Sequence, residues 1–248
     1  MTTIIAPNEP NDDLWSAVDA AVSRLLDRMR ILAPPVDAAQ LRVRFGFKLR
    51  EPRRGSRAAR RFVRDRHEPG KASCRQESQV AAAACIGNHL AGDILARVRI
   101  SEESLAEARA QIAKSFVARL LMPTDWFRED VRSLGCDVFR LHARYHTATE
   151  EAVAWRLLDM ELPCVVTVFD NDHIVDRRTN VPIAGLSGEL DRAELAAQAY
   201  AHHYSRARVE YSSRITARAW PLHRADWRRE IVVARLDCES FDIVDYED

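Results

Sequence analysis

Lysine is nearly missing from this chain of 248 residues, which carries it only at positions 48, 71 and 114. Nearly all the basic charge is therefore arginine, which a GC-rich genome explains more simply than selection for phosphate contacts does. A net charge is missing too, because 37 basic residues balance 37 acidic ones. No global field draws the chain to nucleic acid or to a membrane, so such a partner would need a local patch.

The cysteines lack any framework pattern. They are odd in number, widely spaced and without a Cys-x-x-Cys pair, at Cys74, Cys85, Cys136, Cys164 and Cys238, and this argues against a disulfide scaffold. Apolar runs long enough to span a bilayer are absent, and the first residues have neither a basic flank nor a long apolar stretch. We therefore expect a protein of the reducing cytoplasm that has no membrane partner.

Two common motifs of catalysis are also absent. The sequence contains no Gly-rich phosphate loop and no Gly-x-Ser-x-Gly motif. What it does contain is 47% hydrophobic residues, which is typical of a soluble globular protein. Its length allows one large domain or one domain with an appendage.

The first third of the chain predicts two helices and a strand. An amphipathic helix is indicated by the spacing of Val18, Val22, Leu25, Met29 and Leu32, and Pro34 and Pro35 should end it. A short helix over 36–44 and a strand over 45–50 follow, since GFKLRE alternates apolar and polar residues.

The middle of the chain predicts several further helices. An alanine-rich pattern predicts a buried helix over 77–95, and a second helix runs from Ser101 to about Met122, before Pro123. Short helices should follow Pro123 and span 137–145. A capping box at Thr147 and Glu150 should start another helix, in which Val153, Leu157 and Met160 share one face.

The last third predicts two strand pairs separated by a helix. The β-rich run PCVVTVFDNDHIVDRR indicates a hairpin that turns at Asp170, Asn171 and Asp172. A helix should then run from Asp191 to about Arg206, and a second pair of strands should meet near residues 224 and 225. An acidic tail covers 238–248.

The stretch from Gln111 to Phe127, QIAKSFVARLLMPTDWF, resembles the signature that follows the zinc-binding helix in ImmA/IrrE-type metallopeptidases. PPVDAAQLRVRFGFKLRE, near the N-terminus, is similar to the opening of that family's IrrE N-terminal-like domain. The resemblance spans roughly residues 12–237. It implies an α+β fold, with a mostly helical, zincin-like core of the minigluzincin type, a small N-terminal sheet and C-terminal β-hairpins.

The implied sheet would include a short strand over 59–64. We predict a metallopeptidase-like domain over 12–160, and a hairpin and helix extension over 161–237 that packs on the same core.

The resemblance also implies a zinc site whose parts are altered here. The family carries His-Glu-x-x-His on a helix, so that two imidazoles four residues apart bind zinc and the glutamate polarises its water. Ala84, Cys85 and Asn88 stand at the positions of first ligand, base and second ligand. Residues 110–112, where the third, acidic ligand is expected, are Ala, Gln and Ile. We therefore predict no catalytic residues and no metal.

A register shifted by one residue offers a second interpretation. Cys85 and His89 then occupy the two ligand positions, with Glu107 as the nearest carboxylate, but Ile86 replaces the base. Zinc is expected only if shifted ligands bind it, either these residues or a pair such as His142 and His146. Cysteine and histidine four apart on a helix are more often packing residues, and Cys85 as the nucleophile of a hydrolase would be poorly placed for a substrate.

Other histidines are weaker candidates for metal ligands. His142 and His146 are four apart on a predicted helix, but a solvated helix face is the commoner explanation. The His67-Glu68 pair precedes Pro69 and Gly70, which break a helix. His202 and His203 are adjacent, so they should point to different sides of their helix.

Ten arginines and one lysine lie between Arg42 and Arg66. Within this segment we predict a binding surface at Arg53, Arg54, Arg57, Arg60 and Arg61. Clustered arginine can neutralise phosphates, but it also suits a solvated face or an acidic protein partner.

Three functions follow from these patterns. The leading hypothesis is a pseudopeptidase, a degenerate ImmA/IrrE-like protein with a regulatory or protein-binding role, whose partner is a protein such as a transcriptional regulator. The second is an active zinc endopeptidase with shifted ligands that cleaves a regulator protein. The third is a nucleic-acid-binding module that uses the arginine-rich segment at 42–66.

Overall fold

The computed structural model describes residues 12–46, 71–98, 104–181 and 189–236. Within these ranges the chain forms eight helices and five strands. The helices are α1 (Asp12–Met29), α2 (Ala38–Arg44), α3 (Lys71–Leu95), α4 (Leu105–Leu121), α5 (Thr124–Leu134), α6 (Val138–Arg144), α7 (Glu150–Leu157) and α8 (Arg192–Tyr204). The strands are β1 (Cys164–Asp170), β2 (His173–Thr179), β3 (Arg208–Tyr211), β4 (Ile215–Pro221) and β5 (Arg229–Leu236).

Seven of the described helices precede the sheet, so the predicted α+β class is confirmed. The chain forms two compact units. Among the described residues, a helical unit contains 12–46, 71–98, 104–133 and 142–149, and a sheet unit contains 134–141, 150–181 and 189–236. None of the described helices is both long and apolar enough to cross a membrane.

Helix α1 ends earlier than its apolar spacing suggests. Val18, Val22 and Leu25 are buried as predicted, but Leu32 is 82% exposed. Arg30 has a φ of 55°, and the backbone N–H of Ile31 donates to Leu26 O at 3.0 Å. This left-handed residue with its 6→1 bond is a Schellman motif. The prediction that the helix reaches Leu32 and is ended by the two prolines is therefore wrong, because backbone hydrogen bonds close it at Met29.

Helices α3 and α4 pack against each other in the helical unit. Helix α3 ends at Leu95 as predicted but begins at Lys71 rather than at residue 77. Its contact with α4 needs glycine at position 87, since a Cβ there would lie 2.9 Å from Phe116 side-chain atoms. Phe116 is itself fully buried. The close approach of these two helices therefore depends on one small and one large residue.

The segment that follows α4 is pinned by an aromatic pair. The rings of Phe127 and Tyr145 meet edge to face with centroids 5.4 Å apart, and the Tyr145 hydroxyl donates to Asp130 Oδ2 at 2.7 Å.

The predicted capping box at Thr147 does not form, because Thr147 Oγ1 is buried without a hydrogen-bond partner among the described residues. Instead the backbone N–H of Ala148 closes a turn onto Tyr145 O at 2.9 Å, and α7 begins only at Glu150.

The two predicted hairpins join into one five-stranded antiparallel sheet in the order β2-β1-β5-β4-β3. Asn171 and Asp172 form the β1–β2 turn, and both have positive φ, at 48° and 67°, as a type I′ turn requires. Strands β4 and β5 pair as predicted, with a bridge between Arg224 and Trp227. Strand β3 was not predicted. It is only four residues long and has no fully buried residue, so it lacks a hydrophobic pattern.

Helix α8 covers one face of this sheet. Its alanines at 193, 197 and 201 pack into a core with Ile215, Ala217 and Val232. The predicted start is confirmed, because Asp191 and Glu194 form a capping box. The Glu194 carboxylate also binds Arg177 of β2 through two hydrogen bonds of 2.6 and 2.9 Å, with both side chains at most 1% exposed. This ion pair joins the helix start to the sheet.

Several predictions fall outside the described residues. The strand at 45–50 is described only at Phe45 and Gly46, which form a turn after α2. The strand at 59–64 and the acidic tail lie wholly outside. The N-terminal sheet and the domain boundary at residue 160 stay predictions.

Candidate functional site

The positions that the resemblance assigns to a zinc site lie on α3. Ala84 and Cys85 are half-buried, and Asn88 and His89 are exposed. Glu107 is exposed on α4, where it accepts a hydrogen bond of 3.5 Å from the Gln111 side chain. The structure does not bring Cys85, His89 and Glu107 together as a group of ligand atoms within 4.8 Å of one another.

These residues do not fit the zinc that the resemblance implies. Ala84 has no donor atom at the position of the first ligand, and Ile86, at the base position of the shifted register, points into the core at 1% exposure. A zinc-bound water needs three protein ligands and a base around one point. We therefore derive no zinc chemistry at this helix.

Two clefts lie elsewhere in the helical unit. One, of about 490 Å³, is lined by α2 and α3 residues that include Asp37, Val43 and Arg75. The other, of about 280 Å³, lies between α1 and α3. Ile86 lines the cleft between α1 and α3, but Ala84, Cys85, Asn88 and His89 line neither cleft.

The remaining predicted residues are dispersed. His142 lies on α6 with its Nε2 3.4 Å from the Gln76 amide nitrogen, whereas His146 is exposed and follows the end of that helix. The two therefore do not share a helix face. His67 and the five arginines from Arg53 to Arg61 lie outside the described residues.

A different cluster forms in the sheet unit. In the part of the chain that the structure describes, one group of three residues brings metal-type ligand atoms within 4.8 Å of one another, and it consists of His202, His223 and Glu230. His202 lies near the end of α8, His223 in the β4–β5 connection and Glu230 on β5. We call these three residues the His-His-Glu cluster.

One buried oxygen is the centre of the His-His-Glu cluster. Glu230 is fully buried, and its Oε1 lies 3.0 Å from His202 Nδ1 and 2.6 Å from His223 Nε2. The two imidazoles are more open, with 21% and 13% of their side chains exposed. The cluster therefore has a buried acidic floor and a rim that solvent reaches.

Each residue of the cluster has a further polar partner. Asp172 Oδ2 lies 3.2 Å from His202 Nε2, and Ser205 Oγ lies 2.8 Å from His223 Nδ1. The Gln198 amide donates to Asp172 at 2.9 Å and to Glu230 Oε2 at 3.4 Å. The polar groups around the two rings are thus arranged in a second layer.

Backbone geometry holds this second layer in place. Ser205 ends α8 in the left-handed conformation with a φ of 52°. Asn171, beside Asp172, exchanges two hydrogen bonds with Arg228, at 2.8 and 3.1 Å. Arg228 also donates to the His202 carbonyl at 2.8 Å. The β1–β2 turn, the end of α8 and the start of β5 are therefore tied together at the cluster.

Sequence reasoning missed this cluster. It treated His202 only as half of an adjacent pair, and it did not consider His223 or Glu230. His203 does point elsewhere, with its ring 4.6 Å from that of Tyr204. The missing information is the pairing of β4 with β5 and the packing of α8 on the sheet, which bring residues 28 positions apart into contact.

The fold is therefore an α+β protein in which helices precede an antiparallel sheet that carries a histidine-carboxylate cluster. No protein-family model matches the chain, and no curated protein matches it significantly. Eleven chains of solved structures match. One is a Mycobacterium tuberculosis transcriptional regulator, 18% identical, with a TM-score of 0.57 over 88% of this chain and 75% of that chain. At this identity the likeness shows a common fold.

Proposed function

We propose that this chain is a catalytically degenerate homologue of ImmA/IrrE-type metallopeptidases, and that it acts in regulation by binding a protein partner. Ala84 carries the proposal. It offers no ligand atom at the position that the resemblance assigns to the first zinc-binding histidine. Without that ligand the helix cannot hold a zinc-activated water, which is the source of hydrolysis in the family.

The packing of α3 on α4 supports the retention of the family's scaffold. Gly87, on the helix that the resemblance identifies with the zinc helix, lets Phe116 of the signature segment approach closely. The signature residues Leu120 and Met122 are also fully buried. Residues that carry the resemblance thus serve packing, while the positions of the ligands have changed.

The regulatory role is supported by the fold that this chain shares with the Mycobacterium tuberculosis transcriptional regulator. A transcriptional regulator, or another protein of the same regulatory system, is the partner we propose. The cleft between α2 and α3 offers an exposed apolar residue, Val43, beside Arg44 and Arg75. A protein segment that is apolar and acidic would suit it.

Metal content tests the loss of catalysis. Zinc is measured by mass spectrometry in untagged wild-type protein and in the double variant C85A/H89A, beside a general peptidase assay. We expect no peptidase activity, and no change in zinc content between the two proteins. Zinc that disappears in C85A/H89A would contradict the proposal and favour a peptidase with shifted ligands.

Transcript profiles test the regulatory role. The gene is deleted in its source organism, and the strain is complemented with the wild type or with C85A/H89A. We expect a defined set of transcripts to change on deletion and both proteins to restore it equally, because binding does not need the altered site. Unchanged transcripts would overturn the regulatory role. Rescue by the wild type alone would point to chemistry at Cys85 or His89.

A further inference from the structure

We propose that the His-His-Glu cluster is a zinc site, in which His202 Nδ1, His223 Nε2 and Glu230 Oε1 are the protein ligands. This site lies in the sheet unit and is separate from the altered zinc positions on α3. It goes beyond the proposed function, which requires no metal.

The ligand types suit zinc. Two imidazoles and one carboxylate are a recurring set of three protein ligands, which leaves one tetrahedral position for water. The set contains two nitrogen donors and only one oxygen, which favours zinc over the oxygen-preferring magnesium and calcium. Glu230 contributes the negative charge that partly neutralises the cation.

The distances require only a small adjustment. Ligand atoms about 2.0–2.1 Å from a tetrahedral zinc lie about 3.3 Å from one another. The observed separations from Glu230 Oε1 are 3.0 and 2.6 Å, which are hydrogen-bond lengths. The distances from Glu230 Oε1 would grow by about 0.3 Å for His202 and about 0.7 Å for His223, and both imidazoles belong to partly exposed side chains.

The second layer of polar groups around the two rings is arranged as zinc-binding histidines require. A histidine that binds metal through one ring nitrogen usually donates from the other to a carboxylate or another acceptor, which fixes the ring. Asp172 stands at this place for His202 at 3.2 Å, and Ser205 Oγ for His223 at 2.8 Å. The Gln198 amide donates to the free oxygen of Glu230 at 3.4 Å. All three ligands therefore have an outer partner.

A simpler explanation competes with this one. The two imidazoles and the Gln198 amide could serve only to satisfy a buried carboxylate. To satisfy Glu230, only one nitrogen of each ring has to contact the carboxylate. The polar partner on the second nitrogen of each ring is what the zinc proposal explains in addition.

Zinc binding by the full chain tests the proposal. Protein freed of metal with a chelator is titrated with zinc chloride, and cobalt(II) is used as a spectroscopic substitute. We expect one zinc per chain and the absorption spectrum of four-coordinate cobalt. H202A and H223Q should weaken zinc binding more than about 100-fold, and the exposed outer-layer variant D172N about 10- to 100-fold.

The matched control is H203A, which removes the neighbouring exposed histidine on the same helix and should leave binding unchanged. Circular dichroism checks that each variant is folded. Wild-type protein that binds no zinc, or wild-type affinity in H202A and H223Q, would overturn the site. If H202A and H223Q do not fold, D172N is the deciding variant. An unchanged zinc affinity in D172N would also overturn the site.

The double variant C85A/H89A separates the two proposals. Zinc kept in C85A/H89A and lost in H202A supports the site in the sheet unit and leaves the proposed function intact. Zinc lost from C85A/H89A and kept in H202A overturns both. A chain that binds no zinc at all overturns this site alone.

Discussion

Buried carboxylates in the sheet unit are held by two different kinds of partner. Glu230 meets imidazole and amide nitrogens, whereas Glu194 meets the guanidinium of Arg177. The Arg177 head group also donates to Thr167 at 2.5 Å. A guanidinium keeps its charge throughout the physiological pH range, while an imidazole titrates within it or binds metal. The guanidinium therefore suits a structural link, and the imidazoles suit a functional site.

Removing the Glu194 carboxylate should strongly destabilise the sheet unit. E194A leaves a buried arginine unpaired and removes the back-bond of the capping box to the Asp191 N–H. We expect a loss of about 3–5 kcal/mol in the free energy of unfolding, measured by urea denaturation.

The matched control is E210A, which removes the carboxylate of the more exposed pair between Arg208 and Glu210. It should cost far less than E194A, because solvent screens an exposed ion pair. Equal losses in E194A and E210A would show that burial of the ion pair is not what makes it important.

Cys164 should resist alkylation in the folded protein. Burial, with a smaller effect of the neighbouring Cys136, raises the pKa of the Cys164 thiol to about 12. Burial also raises the pKa of Cys136. Since the thiolate is the reactive form, mass spectrometry after iodoacetamide treatment at mildly alkaline pH should find Cys164 unmodified. Denatured protein should be modified there, and modification in the native state would contradict the burial of this side chain.

At the scale of elements, α2 is tied to α3 by a reciprocal amide and carboxylate pair. Asp37 caps α2 by accepting from the Gln40 N–H at 3.0 Å, and it also accepts from the Gln79 amide at 3.0 Å. The side-chain oxygen Oε1 of Gln79 in turn accepts from the Ala39 N–H at 3.2 Å. A single acidic residue thus serves both a helix start and a contact between helices.

The stabilising effect of Asp37 should depend on pH. Burial by itself raises the pKa of this carboxyl, but hydrogen bonds from Gln79 and Gln40 and the charge of Arg75 outweigh it and lower the pKa below 3.8. The stabilisation is thus present above pH 3.8 and is lost as the pH falls through the lower value in the folded state. D37A should lose about 0.5–2 kcal/mol near neutral pH, and less as the pH approaches about 3.

The variant D37N provides the control for this prediction. Asparagine caps a helix about as well as aspartate, but it does not titrate. Urea denaturation of wild type, D37A and D37N over the acidic range should therefore show the difference between wild type and D37N narrowing as the pH falls. A difference that does not change with pH would show that the charge of Asp37 is unimportant.

The sequence predicted elements where the local signal was strong. The helix start at Asp191 and the turn at Asn171 and Asp172 were found because each depends on residues within four positions of one another. The end of α1 was missed, because Arg30 adopts the left-handed conformation without being glycine. Strand β3 was missed because an exposed edge strand has no apolar alternation.

At the scale of the whole molecule, the balance of charge should limit solubility. The formal net charge is zero at pH 7 with histidine neutral, and proteins near zero net charge associate and precipitate more readily. Solubility measured by polyethylene glycol precipitation should be lowest near pH 7. It should rise in acid and in alkali, where the protein gains net charge of one sign. A maximum near pH 7 would contradict this.

The sequence by itself determined the class of fold, most of the helices and the two strand pairs. Each of these depends on residue identity or on neighbours within a few positions. Only the tertiary structure decided that the two strand pairs form one sheet and that α8 packs on it. The His-His-Glu cluster exists for that reason alone, since its side chains come from a helix, a connection and a strand. No spacing rule links such residues, because contacts between elements depend on how the chain packs rather than on its local periodicity.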